Sequence, residues 1–388
     1  MRSHYKILLL LGVMTLAVPR QALGATDETP ADSIPAGKSL IQKVIGYFQE
    51  DSAKAVENSK KHFSFSLVGG PNYASDTKLG LGVAGMIKYR LNGCDYPLPQ
   101  SYATVAANIT TAGFWSLSLV GTTYLSNDRM RLNTDLWMGY SPRNYWGIGY
   151  DMNKNNANKG KLHQQEWKIK TELLFRITPS FHMGPVIEWD FHKSGNTEPV
   201  DLLDGWDHVV RNYGVGLSLQ YDTRDLPTAA TRGVYLYLCE LMRPKFLWND
   251  KYHFYTTDFR FCYYHKAWRN AVIAGELKAM FNFGNLSWAM MALLGNSSFM
   301  RGYYKGRYRD KHMWTSQVEL RQHVWKSSGI AVWVGGGNVF HDSDSFKHFL
   351  YNFGFGYRFA FRKGSNIRLD YGFGKGQNGF MFSINEAF

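Results

Sequence analysis

Histidine, aspartate and serine, the side chains that nucleophilic catalysis needs, occur together in residues 341–345. Enzymes that use a serine nucleophile combine it with a histidine and an acid, so His341-Asp342-Ser343-Asp344-Ser345 is a candidate cluster. The same composition is typical of a polar loop tip, and the chain has no glycine-serine-glycine pattern of a nucleophile elbow. We therefore predict no enzyme and keep catalysis on lipid or peptide as the weaker alternative.

The three cysteines, Cys94, Cys239 and Cys262, show neither metal-ligand spacing nor a disulfide framework. An odd number at wide intervals favours three unpaired, small apolar side chains. We accordingly expect no metal and no cofactor.

The first 24 residues predict a cleaved signal peptide. Arg2 and Lys6 precede an apolar run over residues 7–18, and small residues follow at 22–24. This run is the only apolar stretch near membrane-spanning length, which argues against an inner-membrane helical protein. Without Arg2, Lys6 and Arg20, 41 basic residues face 31 acidic ones, a formal charge near +10. Export argues against nucleic acid as a partner and favours acidic lipid head groups or an acidic translocating chain.

From His62 onward, apolar and polar side chains alternate with a period of two. The chain carries 24 Tyr, 25 Phe and 12 Trp, yet its mean hydropathy is negative. A wall with lipid on one side and water on the other explains both facts. The pattern predicts an all-β membrane protein, a 16-stranded antiparallel transmembrane β-barrel. One clear run alternates Phe353, Phe355, Tyr357, Phe359 and Phe361 with Gly354, Gly356, Arg358, Ala360 and Arg362.

Turn signals divide residues 62–388 into sixteen strands, an even number, as closed single-chain bacterial barrels have. With the N-terminus in the periplasm, the short turns at 177–180 and 326–328 fall inside and the long loops at 141–161, 193–207 and 284–311 fall outside, as in bacterial barrels. The predicted strands are 62–68, 78–90, 101–111, 113–124, 130–140, 162–177, 181–192, 208–222, 232–244, 252–266, 269–283, 312–323, 329–340, 347–362, 366–374 and 380–388.

The last predicted strand sets Phe380, Phe382, Ile384 and Phe388 in phase. A terminal phenylalanine after such a strand resembles the recognition signal of outer-membrane barrels.

Residues 25–61 predict a periplasmic lead-in to the barrel. Leu40, Val44 and Phe48 fall at helical spacing between residues 39 and 59. We expect a short amphipathic helix under the barrel, with a plug inside the lumen as the alternative.

The longest loop contains Gly295, Arg301, Gly302 and Tyr303, between the eleventh and twelfth predicted strands. This segment resembles the arginine-glycine-aromatic loop of the BamA/TamA family of outer-membrane assembly proteins (bacterial surface antigens). In that family the loop folds back into the barrel, where its arginine contacts carboxylates on the inner wall.

A second segment is similar to the family's periplasmic turn, through Asp222, Arg224, Asp225, Pro227 and Gly233. Residues 318–321 resemble the family's strand after the returning loop, and residues 367–372 resemble its penultimate strand. The resemblance covers residues 62–388 in the family's order. It implies insertion, assembly or translocation of proteins at the cell outer membrane of a Gram-negative bacterium, through a lateral seam.

The chain departs from the family pattern on the inner wall. Trp333 stands where the family has phenylalanine, and Gly335 stands where the family has the aspartate that usually accepts the loop arginine. Buried guanidinium needs charged partners. Our hypothesis is that Arg301 pairs with Glu319, Asp370 or both, which are in phase with the lumen. Arg321 shares that phase.

The N-terminus also lacks the polypeptide-transport-associated domains through which full-length family members receive clients. We therefore expect a barrel-only member, with client outer-membrane or secreted polypeptides and an accessory periplasmic protein as partners, besides outer-membrane lipid.

The seam itself allows two interpretations. The first predicted strand is short and ends at Gly69-Gly70-Pro71, which predicts either a loose seam or an ordinary closure with a short partner. A passive pore or structural barrel is the alternative function, because a basic lumen would favour anions. The basic side chains in phase with the lumen are Lys168, Lys170, Arg176, Arg358, Arg362 and Arg368.

Overall fold

The computed structural model describes residues 61–388 except 75–76, 95–97, 99, 196, 199–201, 250, 344 and 363–364. The expected signal peptide and the expected helix at 39–59 lie outside the described residues. No helix in the described part is both long enough and apolar enough to span a bilayer.

The described chain is almost entirely β-structure. One short α-helix, α1 (Tyr150–Lys154), lies in the loop after the fifth strand. The strands are β1 (Phe63–Ala74), β2 (Lys78–Tyr89), β3 (Ser101–Thr110), β4 (Trp115–Leu125), β5 (Met130–Tyr145), β6 (Gly160–Arg176), β7 (Phe181–Ser194), β8 (Val209–Asp222), β9 (Gly233–Arg243), β10 (Phe254–Trp268), β11 (Ala271–Gly284), β12 (Ala292–Leu293), β13 (Arg309–Asp310), β14 (His312–Trp325), β15 (Ser328–Phe340), β16 (Leu350–Arg362), β17 (Ser365–Gly374) and β18 (Gln377–Ile384).

Sixteen strands form one closed antiparallel barrel in chain order, and β18 returns to β1. The two remaining strands, β12 and β13, pair with each other inside the loop between β11 and β14. The predicted fold class and strand number are confirmed.

The wall is apolar outside and polar inside. On β16, the outward rings Phe353 and Phe355 are 48% and 57% exposed, whereas the inward Asn352 and Arg358 are 0% and 5% exposed. In water, such continuous apolar surface would be unfavourable. The distribution is the reverse of that in a water-soluble sandwich, and it fits a wall with hydrocarbon on its outer side.

The first and last strands differ from their predicted bounds. β1 does not end at residue 68 but pairs with β2 as far as Ala74, including Pro71 opposite Leu81. Proline is tolerated there because the other side of β1 is the edge that meets β18, where no N–H is required.

β18 ends at Ile384, and residues 385–388 leave the wall. Asn385 adopts a left-handed backbone with φ 66°, which turns the chain inward. Phe388 is 7% exposed and packs with Tyr264 inside the barrel, and their ring centroids are 6.3 Å apart. The expectation that Phe388 continues the outward row of Phe380, Phe382 and Ile384 is therefore wrong, because the inward turn breaks the strand's period.

The seam between β1 and β18 is short. Among the described residues, one register pair joins the two strands, Ala74 with Met381. Extending this antiparallel register places Ile384, the last residue of β18, opposite Pro71. Residues 63–70 of β1 therefore extend past the end of β18, toward the end of the barrel that carries the short turns.

The outward row of β8 offers a test of the wall's environment. Leu217 lies in the middle of this row and is 43% exposed. We expect Leu217→Arg to cost about 2–4 kcal/mol of unfolding free energy in a bilayer, because a charge at the midplane must leave water. Gln220→Arg is the control, since Gln220 faces the lumen and contacts Glu172. Urea titrations of both variants in lipid vesicles give the comparison, and equal losses would contradict a hydrocarbon-facing outer row.

Candidate functional site in the barrel lumen

The loop between β11 and β14, residues 285–311, folds back into the lumen. Leu294, Phe299, Met300 and Tyr303 are all buried, in one apolar cluster that also includes Val339 of the wall. Because these side chains share a core with the wall, the loop is part of the folded barrel and not a mobile flap.

Arg301 is the centre of the site and is 0% exposed. Its Nη1 lies 2.6 Å from Glu319 Oε2 and donates a hydrogen bond to Asp370 Oδ2 at 3.0 Å. Its Nη2 donates to Gln317 Oε1 at 3.3 Å. The loop arginine thus joins β14 to β17 across the lumen, and both hypothesised carboxylates contact it.

The two departures on β15 are linked through this arginine. The guanidinium carbon of Arg301 lies 3.6 Å from the Trp333 ring centroid, a close cation–π contact. A side chain at Gly335 would collide with Asn352, whose amide donates to the Arg301 carbonyl at 2.9 Å. Trp333 therefore covers the face of the guanidinium, and the carboxylates that accept its hydrogen bonds lie on β14 and β17 instead of β15.

The loop approaches β17 so closely that it needs glycine on both sides. Gly302 has φ 103°, and a Cβ there would lie 2.5 Å from the carbonyl carbon of Gly372. The Tyr303 ring covers Gly374, leaving no room for a side chain there. The Tyr303 hydroxyl donates to the Tyr351 carbonyl at 2.7 Å and accepts from the Lys375 amide at 2.8 Å.

Gly295 supports the same geometry from within the loop. Its φ is 91°, and a Cβ there would lie 2.9 Å from Tyr303 Cβ. The four motif residues are thus brought together at one contact between the loop and the wall.

A network of arginines and carboxylates extends from Arg301 to the inward tail, residues 385–388. Arg321 Nε lies 2.7 Å from Glu319 Oε1 and 3.5 Å from Glu386 Oε2. Arg358 lies 2.6 Å from Asp370 and 3.0 Å from Glu386. The tail is therefore held by the same charges that hold the loop.

Phe388 completes this attachment. Arg321 lies 5.1 Å from the Phe388 ring centroid and donates to the Phe388 main-chain oxygen at 3.0 Å. Sequence reasoning missed Glu386 and Phe388 as lumen residues, because the alternation of apolar and polar side chains does not indicate that the chain turns inward after the last strand.

The loop has a second anchor at the long-loop end of the barrel. The buried Arg309 lies 4.6 Å from the Tyr145 ring centroid, and its amide donates to Asn153 Oδ1 at 2.8 Å. Arg307 donates to the Asn153 carbonyl at 3.2 Å. The loop that carries α1 therefore covers the returning loop.

The turn motif forms a separate cluster between β8 and β9. Arg224 lies 2.7 Å from Asp222 and 4.2 Å from the Tyr235 ring centroid, and it donates to the Pro227 carbonyl at 3.3 Å. Gly233 has φ 108°, and a side chain there would collide with the Thr223 carbonyl.

Asp225 holds the rest of this turn. Its carboxylate accepts hydrogen bonds from the Thr231 hydroxyl at 2.5 Å and from the amides of Leu226, Thr231 and Arg232. Burial raises the pKa of Asp225, but these hydrogen bonds outweigh it and hold the pKa below its usual value.

The structure also describes the residues that suggested an enzyme or a metal site. Both ring nitrogens of His341 face carboxylates, Asp310 at 3.3 Å and Asp342 at 2.9 Å. The described residues include no cluster of three metal-ligating side chains, and all three cysteines are free and buried.

Of the basic side chains predicted to line the lumen, those whose side chains the structure describes are paired with acids. Lys168 lies 3.1 Å from Glu188, Lys170 3.5 Å from Glu172, Arg176 3.6 Å from Asp128 and Arg368 3.4 Å from Asp370. This pairing reduces the positive potential on which an anion-selective pore would depend.

Removal of the loop arginine should release the loop. Arg301→Ala leaves Glu319 and Asp370 with one cation fewer in a buried site, a loss of about 3–5 kcal/mol. Arg301→Lys should fall between the wild type and Arg301→Ala, because an ammonium lacks the flat face that stacks on Trp333. The measurement is the rate of proteolysis within residues 285–311 in lipid vesicles. Lys305→Ala, at an exposed position of the same loop, is the control; Arg301→Ala cleaved at the rate of Lys305→Ala would contradict the anchor.

Acidification should loosen the turn between β8 and β9. Because the folded turn lowers the pKa of Asp225, its stabilisation is present above the unfolded pKa and is lost as the pH falls through the lower, folded value. Amide exchange at Thr231 and Arg232, corrected for intrinsic rates, should rise in that range. Asp225→Asn should exchange fast at every pH. A wild type without this acid-dependent step would disprove the role of the carboxylate.

Comparison with known proteins places this geometry among outer-membrane barrels. The structure resembles BamA from Haemophilus ducreyi lacking POTRA domains 1-3, with 12% identity, a TM-score of 0.57 and coverage of 83% of this chain and 70% of that chain. It also resembles CdiB from Acinetobacter baumannii (11% identity, TM-score 0.53, covering 84% and 60%) and CdiB from Escherichia coli (10% identity, TM-score 0.56, covering 84% and 63%).

At these identities the likenesses concern the fold, and this chain spans between 60% and 70% of the length of those three. No curated protein matches the sequence. The family model of the Omp85 superfamily domain matches residues 112–388. The resemblance to BamA is thus confirmed at the level of the superfamily, and the chain is an outer-membrane β-barrel that belongs to the Omp85 superfamily.

Proposed function

We propose that this barrel inserts or translocates polypeptides at the outer membrane through the seam between β1 and β18. Members of the Omp85 superfamily take part in protein insertion or secretion in general. The observation that carries the finer proposal is that residues 63–70 of β1, which pair with β2 on one edge, extend beyond the end of β18 and have no strand on their other edge in the part of the chain that the structure describes.

The edge of β1 is suited to accept a client strand. Its outer side chains Phe63, Phe65 and Leu67 are 62%, 58% and 50% exposed, so they already match the hydrocarbon that a client must enter. Backbone groups left unpaired in hydrocarbon cost several kcal/mol each. An incoming strand that pairs with residues 63–70 removes this cost, and so the edge favours strand addition.

The inward tail supports a way to regulate this edge. If residues 385–388 rejoined the wall in the register of Ala74 and Met381, they would lie opposite residues 67–70 of β1. The contacts of Glu386 with Arg321 and Arg358 hold the tail inside instead. In this proposal the arginine network keeps the edge free, and the loop, which shares the network, couples the lumen to the seam.

The periplasmic parts of the proposal rest on the sequence. Residues 25–61 act as a lead-in after cleavage of the signal peptide, and an accessory periplasmic protein delivers the client. Strand addition at the seam, with no bond made or broken by the barrel, needs no catalytic residue.

A disulfide across the seam tests the proposal. Ala74→Cys with Met381→Cys places the two thiols at the register pair that joins β1 to β18. We expect the oxidised protein, purified and reconstituted in vesicles, to lose insertion of a small barrel reporter, and reduction to restore it. The measurement is the fraction of reporter that acquires heat-modifiable mobility in gels.

The matched control is Ala84→Cys with Ala106→Cys, a register pair of β2 and β3 on the lumen face, the face on which Met381 lies opposite Asp370. This lock lies in the continuous wall and should leave insertion unchanged in both redox states. Equal insertion by the oxidised seam lock and the oxidised control would show that the seam does not open.

A further inference from the structure

The outer surface of the barrel carries a groove on β8, away from the seam between β1 and β18. It has a volume of about 550 Å³ and is lined by Val209, Arg211, Tyr213 and Trp248. Val209, Arg211 and Tyr213 belong to the outward row of β8, and Trp248 comes from the loop between β9 and β10. The groove therefore opens toward the membrane, at the end of the barrel that carries the long loops.

The groove is shaped by a fixed loop. The Asn249 side chain, which is 2% exposed, accepts from the Tyr213 amide at 2.9 Å and donates to the Tyr213 carbonyl at 2.8 Å. These two hydrogen bonds satisfy the main chain of Tyr213 as a neighbouring strand would. The preceding residue, Trp248, adopts a left-handed backbone with φ 59° and sets its ring edge-on to Tyr213, the centroids 5.8 Å apart.

The depth of the groove in the bilayer follows from the tyrosines of β8. Tyr213 and Tyr221 face outward eight residues apart, about 21 Å along the membrane normal for an ordinary strand rise and tilt, close to the spacing of two aromatic girdles. Arg211 lies two residues beyond Tyr213, about 5 Å farther out on the same estimate. This is the level of lipid head groups.

Two cations converge at that level. Arg211 lies opposite Phe191 in the register of β7 and β8, its guanidinium carbon 5.7 Å from the ring centroid. Lys193 follows Phe191 in the outward row of β7 and lies opposite Val209 of β8. Both cations are exposed, and in the described part of the chain no carboxylate lies within ion-pair distance of either.

We propose that this groove binds the phosphorylated head group of a glycolipid in the outer leaflet. Arg211 and Lys193 contact the phosphate, which a guanidinium fork and an ammonium both suit. The rings of Trp248 and Tyr213 lie at the boundary between the sugar and the acyl chains, where aromatic side chains with one polar end are favoured. A lipid phosphate fits better than an acidic polypeptide, because the groove faces the bilayer and not the lumen.

The test uses the full barrel in nanodiscs of phosphatidylcholine that contain a small fraction of bis-phosphorylated lipid A. Native mass spectrometry counts the lipid A that each released protein retains. We expect the wild type to retain it and Arg211→Gln and Lys193→Gln each to reduce retention about 10-fold, the loss of one charge-assisted contact. Lys347→Gln removes the same charge from an exposed loop elsewhere and should retain lipid A like the wild type.

Two further arms identify the ligand. Dephosphorylated lipid A should be retained no better by the wild type than by Arg211→Gln. Millimolar inorganic phosphate should compete only weakly, because it lacks the acyl chains. Retention by Arg211→Gln and Lys193→Gln equal to that of Lys347→Gln would overturn the proposal, and so would full displacement by inorganic phosphate or by poly-glutamate. Heat-modifiable mobility of every variant establishes that the barrel is folded.

Discussion

The lumen is organised around one buried cation. Arg301 is fully enclosed, and a guanidinium in such a place is tolerated only with carboxylates and hydrogen-bond acceptors around it. Glu319 and Asp370 meet this demand from strands on opposite sides of β15 and β16. The arginine therefore fixes the position of the loop and braces the wall. Arg358 and Glu386 pair for the same reason, because each buried charge needs an opposite charge beside it.

The ion pair of the loop arginine is kept in this barrel although the residue at the family's usual acceptor position differs. The family's aspartate is absent at Gly335, where Asn352 fills the space instead. Two neighbouring strands supply the acceptors, and Trp333 adds a π-face that an ion pair alone does not provide. The physical requirement is a neutralised and desolvated guanidinium. The residue that supplies the negative charge is free to move around the wall as long as it faces inward.

Much of this was accessible from residue types alone. The two-residue period identifies each strand and the side on which each residue lies, so the strand number and the inward direction of Glu319 and Asp370 could be derived. The two-residue period does not predict which residues of β1 and β18 pair at the seam, because the register at the closure depends on the registers of all the other strands. For the same reason, the extension of β1 through Pro71 and the inward turn at Asn385 were not foreseen. The second anchor through Arg309 and Asn153 joins two distant loops, and no local pattern reports such a contact.

The bare stretch of β17 has a mechanical consequence. Gly372 and Gly374 lack side chains so that the loop can lie directly on the backbone, and glycine is also the residue with the least resistance to bending. β17 neighbours β18, the strand at the closure of the barrel. The backbone beside the closure therefore depends on the returning loop for its stiffness, and release of the loop would let this hairpin flex.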